Sequence, residues 1–133
     1  MQPPKPFTSS IATILLLDSD PEMRETLRDG LASGNYLVIT AGDLGEAVDR
    51  LEETRPDLLV TRPYINSMPG HAAAQYLRSK RPGLPVLLVA GFMDDDRDNL
   101  RNSVADYHTF PKPFHRIDLL AAVHDVLSVM RKH

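Results

Sequence analysis

Three short apolar runs constrain this chain more than any other feature. Ile11 to Leu17, Leu58 to Thr61 and Pro85 to Ala90 are almost wholly apolar, with no polar residue at alternate positions. A strand with one wet face alternates; a strand covered on both faces reads as a continuous apolar run, which is the habit of parallel sheets packed between helices. None of these runs approaches the ~20 residues of a membrane span.

The segments between the runs carry helix signals. Asp18-Ser19-Asp20-Pro21 supplies N-cap side chains and a proline at or near the first helical position. Met23, Leu27 and Leu31 then recur every four residues through about Ser33, and Gly34-Asn35 ends the helix. Tyr36 to Thr40 is a second strand. Asp43 caps a helix with Leu44, Ala47, Val48 and Leu51 on its apolar face, and Arg55-Pro56 stops it. Arg62 to Pro69 is a loop. Gly70 to Lys80 is a helix with Ala73 and Leu77 turned inward. Asp94 to Ser103 forms a polar helix, Tyr107 to Phe110 a fifth strand, and Phe114 to Arg131 the last helix, with Leu119, Leu120, Val123, Val126, Leu127 and Met130 as its stripe. Strands alternating with helices predict a doubly wound, five-stranded parallel sheet in three α/β/α layers, with right-handed crossovers. Function in such sheets sits at the carboxyl ends of the strands. Here those ends are Asp18-Ser19-Asp20, Arg62, Ala90-Gly91 and Lys112.

Composition excludes several classes. The chain has 133 residues, the size of one domain, and no cysteine, so disulfides, thiol catalysis and thiolate metal sites are ruled out. Cysteine-free sequence fits a reducing cytoplasm. A net charge of -3 argues against general nucleic-acid binding. No catalytic triad, P-loop or metal cluster appears, so no enzyme is expected. Residues 1–10 contain three prolines and no apolar h-region; we read them as a flexible arm before a domain at 11–131.

Four stretches, Ile14-Leu15-Leu16-Leu17-Asp18-Ser19-Asp20-Pro21, Arg55-Pro56-Asp57-Leu58-Leu59-Val60, Leu84-Pro85-Val86-Leu87-Leu88-Val89 and Phe110-Pro111-Lys112-Pro113-Phe114, follow in order on this pattern. On them the chain resembles a bacterial response-regulator receiver domain, with the flavodoxin-like fold of CheY. The resemblance implies two acids after the first strand that hold magnesium with a phosphoacceptor aspartate after the third. It also implies a hydroxyl residue after the fourth strand, a lysine after the fifth, and an aromatic three residues before that lysine. Asp18 keeps the first acid and Lys112 the lysine. Ser19 stands at the second acid, Arg62 at the acceptor, Ala90 at the hydroxyl residue and Thr109 at the aromatic; Pro63 and Asn66 also depart from the usual loop. The resemblance also implies a cis bond between Lys112 and Pro113, a turn device.

The consequence is chemical. A guanidinium is always charged and accepts no phosphoryl group. Asp18, Arg62 and Lys112 sum to a formal +1, or to zero if Asp20 turns in. A hard cation wants several oxygen ligands, so magnesium binding is expected to be weak or absent and no cofactor is expected. Asp57 precedes its apolar run and belongs at the opposite end of the strand. Arg62 is expected to pair with Asp18 or Asp20, and an ion-paired Asp18 to have a depressed pKa. The alternatives are an anion site shared with Lys112 and a contact with a partner. The resulting reading is a degenerate phosphoacceptor pocket in a phosphorylation-independent receiver. It would act in cytoplasmic two-component signalling by binding a sensor kinase, an output domain or a second copy of itself. By the resemblance, the surface for this is the fourth helix, fifth strand and last helix, through Leu100, Val104, Thr109, Arg116 and Leu120. The rival reading is a module that senses an anion or small molecule at Arg62 and Lys112. Asp94-Asp95-Asp96 is read as a helix cap. His71, His108, His115, His124 and His133 show no ligand spacing.

Overall fold

The computed structural model describes residues 12–89 and 116–131. Strand β1, Thr13–Leu17, is an interior strand that pairs in parallel with β2, Leu37–Ala41, on one side and β3, Leu58–Thr61, on the other. Strand β6, Val86–Leu88, extends the sheet beyond β3, giving the order β2-β1-β3-β6 among the described residues. The predicted fifth strand at 107–110, the polar helix at 94–103 and the arm at 1–10 lie outside the described residues.

Period-two side-chain geometry divides the core. Ile14 and Leu16 face Leu27 and Leu31 of α1, Pro21–Ala32, and Leu119, Val123 and Leu127 of α4, Arg116–Arg131. Leu15 and Leu17 face Ala47 and Leu51 of α2, Leu44–Thr54, and Ala73, Ala74 and Leu77 of α3, Gly70–Lys80. All four β1 side chains from Ile14 to Leu17 are fully buried. Each such side chain contributes about 1.5–3 kcal/mol. This is the doubly wound α/β sheet anticipated from the sequence, with helices on both faces.

Local signals place the elements. Asp20 Oδ1 accepts from the Glu22 and Met23 N–H groups at 3.0 and 3.5 Å, with Pro21 opening α1. Asp43 Oδ1 accepts from Glu46 N at 2.8 Å, while Glu46 Oε1 reaches back to Gly42 N at 2.7 Å. At the end of α1 the left-handed residue is Asn35, φ 70, and Gly34 supplies clearance: a Cβ there would lie 2.7 Å from Leu120 Cδ2.

Three expectations are corrected. Strand β2 starts at Leu37 rather than Tyr36, because Tyr36 turns into the core before the ladder with β1 begins. Strand β6 is shorter than Pro85 to Ala90. The loop at 62–69 holds a small hairpin, β4, Tyr64–Ile65, against β5, Met68–Pro69. Asn66, φ 58, turns it, as a two-residue hairpin loop requires of a residue tolerant of positive φ, and buried Ile65 anchors it.

Candidate functional site

The in-register ends of β1, β3 and β6 bring the next residues of each strand together. Leu17 pairs with Thr61 and Thr61 with Leu88, so Asp18, Arg62 and Val89 leave the sheet side by side. Asp57 stands at the other end of β3, exchanging hydrogen bonds with Thr13: Asp57 N to Thr13 O and Thr13 N to Asp57 Oδ2, both 2.8 Å.

Asp18 is 2% exposed. Its N–H donates to Ala41 O at 3.0 Å, and its own carbonyl accepts from Arg24 Nη1 at 2.9 Å. Oδ1 accepts from Asp20 N at 3.0 Å. Oδ2 is buried, has no hydrogen-bond partner, and lies 3.8 Å from Arg62 Nε. Arg62 Nη1 donates instead to the Val89 carbonyl at 2.7 Å. The two charges are therefore neighbours without a hydrogen bond, and the guanidinium ties β3 to the end of β6.

This corrects the expected depressed pKa. Burial pushes the Asp18 carboxyl up from its ordinary value; the Asp20 N–H and the Arg62 and Arg24 charges pull it down without cancelling that effect. Proximity alone favours the charged form, but desolvation wins because no donor reaches Oδ2.

The remaining positions take structural work. Asp20 is exposed and caps α1, so its side chain is engaged outside the pocket. Ser19 Oγ accepts from Asn66 N at 2.9 Å, fastening the hairpin turn to the β1–α1 loop. Gly70 lets the chain close behind Arg62: a Cβ there would sit 1.9 Å from the Arg62 carbonyl oxygen, and Gly70 N donates to Pro63 O at 2.5 Å. Magnesium, which the receiver resemblance implies, does not suit these groups. Among the described residues they offer one carboxylate with a guanidinium beside it.

Ala90, Lys112, Thr109, Leu100 and Val104 lie outside the described residues, as do Asp94 to Asp96, His108, His115 and His133. Arg116 opens α4, and Leu120 is partly buried against the core beside Gly34. Sequence reasoning missed the Val89 carbonyl and Arg24. The first has no sequence signal, since any residue carries a carbonyl; the second is one turn into α1, within reach of the loop before it.

The response regulator receiver domain model matches residues 14–124 of the chain. The chain belongs to the response-regulator receiver family. Its curated relatives include the response regulator MprA of Mycobacterium avium, 35% identical with 86% of this chain and 50% of the relative covered. The MprA of Mycobacterium leprae is 34% identical over the same shares. The chain spans about half the length of these relatives. Among solved structures, a receiver domain protein from Clostridium thermocellum superposes with a TM-score of 0.78 at 20% identity, covering 91% of this chain and 98% of that one. A LuxR-family two-component response regulator from Aurantimonas gives 0.75 at 25% identity, covering 91% and 87%. The receiver is thus a response-regulator domain of two-component signalling with a CheY-like fold. No helix among its described residues is long and apolar enough to cross a membrane.

Proposed function

We propose that this receiver works without aspartyl phosphorylation, as a cytoplasmic interaction domain with no enzymatic activity of its own. The observation that carries this reading is Arg62, which leaves the end of β3 beside Asp18 and is bonded to the Val89 carbonyl. The side chain at this position is a guanidinium, which cannot accept a phosphoryl group, and it joins β3 to the end of β6. The domain then holds one state instead of switching between two, and signals through contacts with a sensor kinase, an output domain or a second copy of itself. Leu100, Val104, Thr109, Arg116 and Leu120 are the surface we propose for those contacts.

The anion-sensing alternative draws less support. Arg62 already has a carboxylate at 3.8 Å and a carbonyl at 2.7 Å, and both repel an incoming anion. The test is incubation with acetyl phosphate and magnesium, followed by hydroxylamine treatment. No acyl phosphate is expected, and beryllofluoride should give no magnesium-dependent NMR shifts. A hydroxylamine-sensitive phosphoprotein would refute the reading.

A further inference from the structure

At the end of the sheet opposite Asp18 and Arg62, the last turns of α2 and α3 enclose a cleft of about 540 Å³. Leu51, Glu52, Arg55, Lys80 and Arg81 line it. Arg55 caps α2 on the way to β3, and Arg81 caps α3 on the way to β6, so the cleft lies beside the amino ends of those strands. Among the described residues, none of these cations has a carboxylate within ion-pair distance, whereas Arg28 and Arg50 are both paired along their helices. Lys80 rests 5.4 Å from the Tyr76 ring centroid. Arg81 Nη1 is buried with no hydrogen-bond partner.

We propose that this cleft binds a small phosphate-bearing anion, at a site separate from the Arg62 pocket. Its volume falls within the range of small-molecule pockets, about 300–1,000 Å³. The local charge favours an anion. Glu52 and two helix C-termini, each worth about half a negative charge, oppose the three cations and leave roughly one positive charge. That positive charge stands on a chain whose net charge is -3, so it does not follow from composition. The chemistry favours phosphate: two guanidinium forks match its oxygens in pairs, and an ammonium adds a point charge. Buried Leu51 forms the apolar wall of the cleft.

The test is titration of the full chain with inorganic pyrophosphate at low ionic strength, followed by ¹H–¹⁵N NMR. Saturable shifts are expected at residues 51–55 and 80–82, with a dissociation constant on the order of 0.1–1 mM. Orthophosphate should bind about tenfold more weakly, with one phosphoryl group instead of two. Arg55→Gly should weaken pyrophosphate binding at least about fivefold without unfolding the domain, because it also relieves a left-handed backbone at φ 50. Arg81→Gln should do the same, and Arg62→Ala should leave binding unchanged. Shifts that fail to saturate, equal binding by both cleft variants, or shifts centred on Arg62 would overturn the proposal. So would a polyglutamate peptide that binds these residues when pyrophosphate does not.

Discussion

Asp18 Oδ2 and Arg62 Nε approach to 3.8 Å, yet the strong bond of that arginine goes elsewhere, from Nη1 to the Val89 carbonyl at 2.7 Å. Charge proximity and hydrogen bonding are thus divided between two partners. That division governs how the pocket should respond to mutation and pH.

Asp18→Asn should stabilise the domain at neutral pH. The carboxyl's pKa is raised in the fold by burial. Its stabilising contribution is then fully present below the unfolded value, 3.8, and is lost as pH rises through the folded value. Above that, ionised Asp18 opposes folding. An asparagine keeps the acceptor for Asp20 N and removes the buried charge. Urea melts at pH 7 and pH 3 should show the variant ahead at the first and the gap closed at the second. A variant less stable at pH 7 would mean that Arg62 outweighs burial.

Arg62→Ala should cost about 1–2 kcal/mol, through loss of the Val89 bond and of the charge beside Asp18. The coupling between Arg62→Ala and Asp18→Ala should stay below about 1 kcal/mol, because the pair lacks a hydrogen bond. A double-mutant cycle in denaturant measures it; a coupling near ~3 kcal/mol would indicate a tightly bonded pair in solution. In Arg62→Ala the Asp18 carboxyl should titrate still higher by carbon-detected NMR.

Arg62→Asp alone should not yield ordinary phosphorylation. Ser19 provides no carboxylate and is engaged with Asn66 N, and the hydroxyl residue implied at Ala90 is missing. The triple change with Ser19→Asp and Ala90→Thr should recover magnesium binding, since three carboxylates then converge. Tryptophan-free NMR titration with magnesium can follow it. Ordinary acyl-phosphate formation by the single variant would sink this account of the pocket.

Two glycines should behave differently. Gly70→Ala forces a methyl group against the Arg62 carbonyl and should cost about 2–4 kcal/mol while displacing the hairpin. Gly83→Ala meets nothing within 4 Å and is strained only through φ 87, so about 1–2 kcal/mol is expected. Thermal melts of the two variants distinguish steric from conformational cost. Equal losses would contradict the close approach at Gly70.

Much of the fold was legible along the chain. Apolar runs located β1 and β3, and the spacing of Leu27 and Leu31 set the face of α1. Asp20 and Asp43 marked helix starts as N-caps do. The hairpin at Tyr64 to Pro69 carries no sequence signal because its strands are two residues each, too short for alternation to register.

Residue identity alone sets the chemistry at the end of β3. Position 62 is arginine, and no packing can make a guanidinium accept a phosphoryl group. The partners of Arg62 and the protonation behaviour of Asp18 depend on how the chain packs. Strand register set Val89 beside Arg62, and burial, a property of the assembled core, raised the Asp18 pKa where charge pairing had suggested the reverse. Arg55, Lys80 and Arg81 are scattered in sequence and meet because two helix ends pack together, a relation that no local pattern encodes.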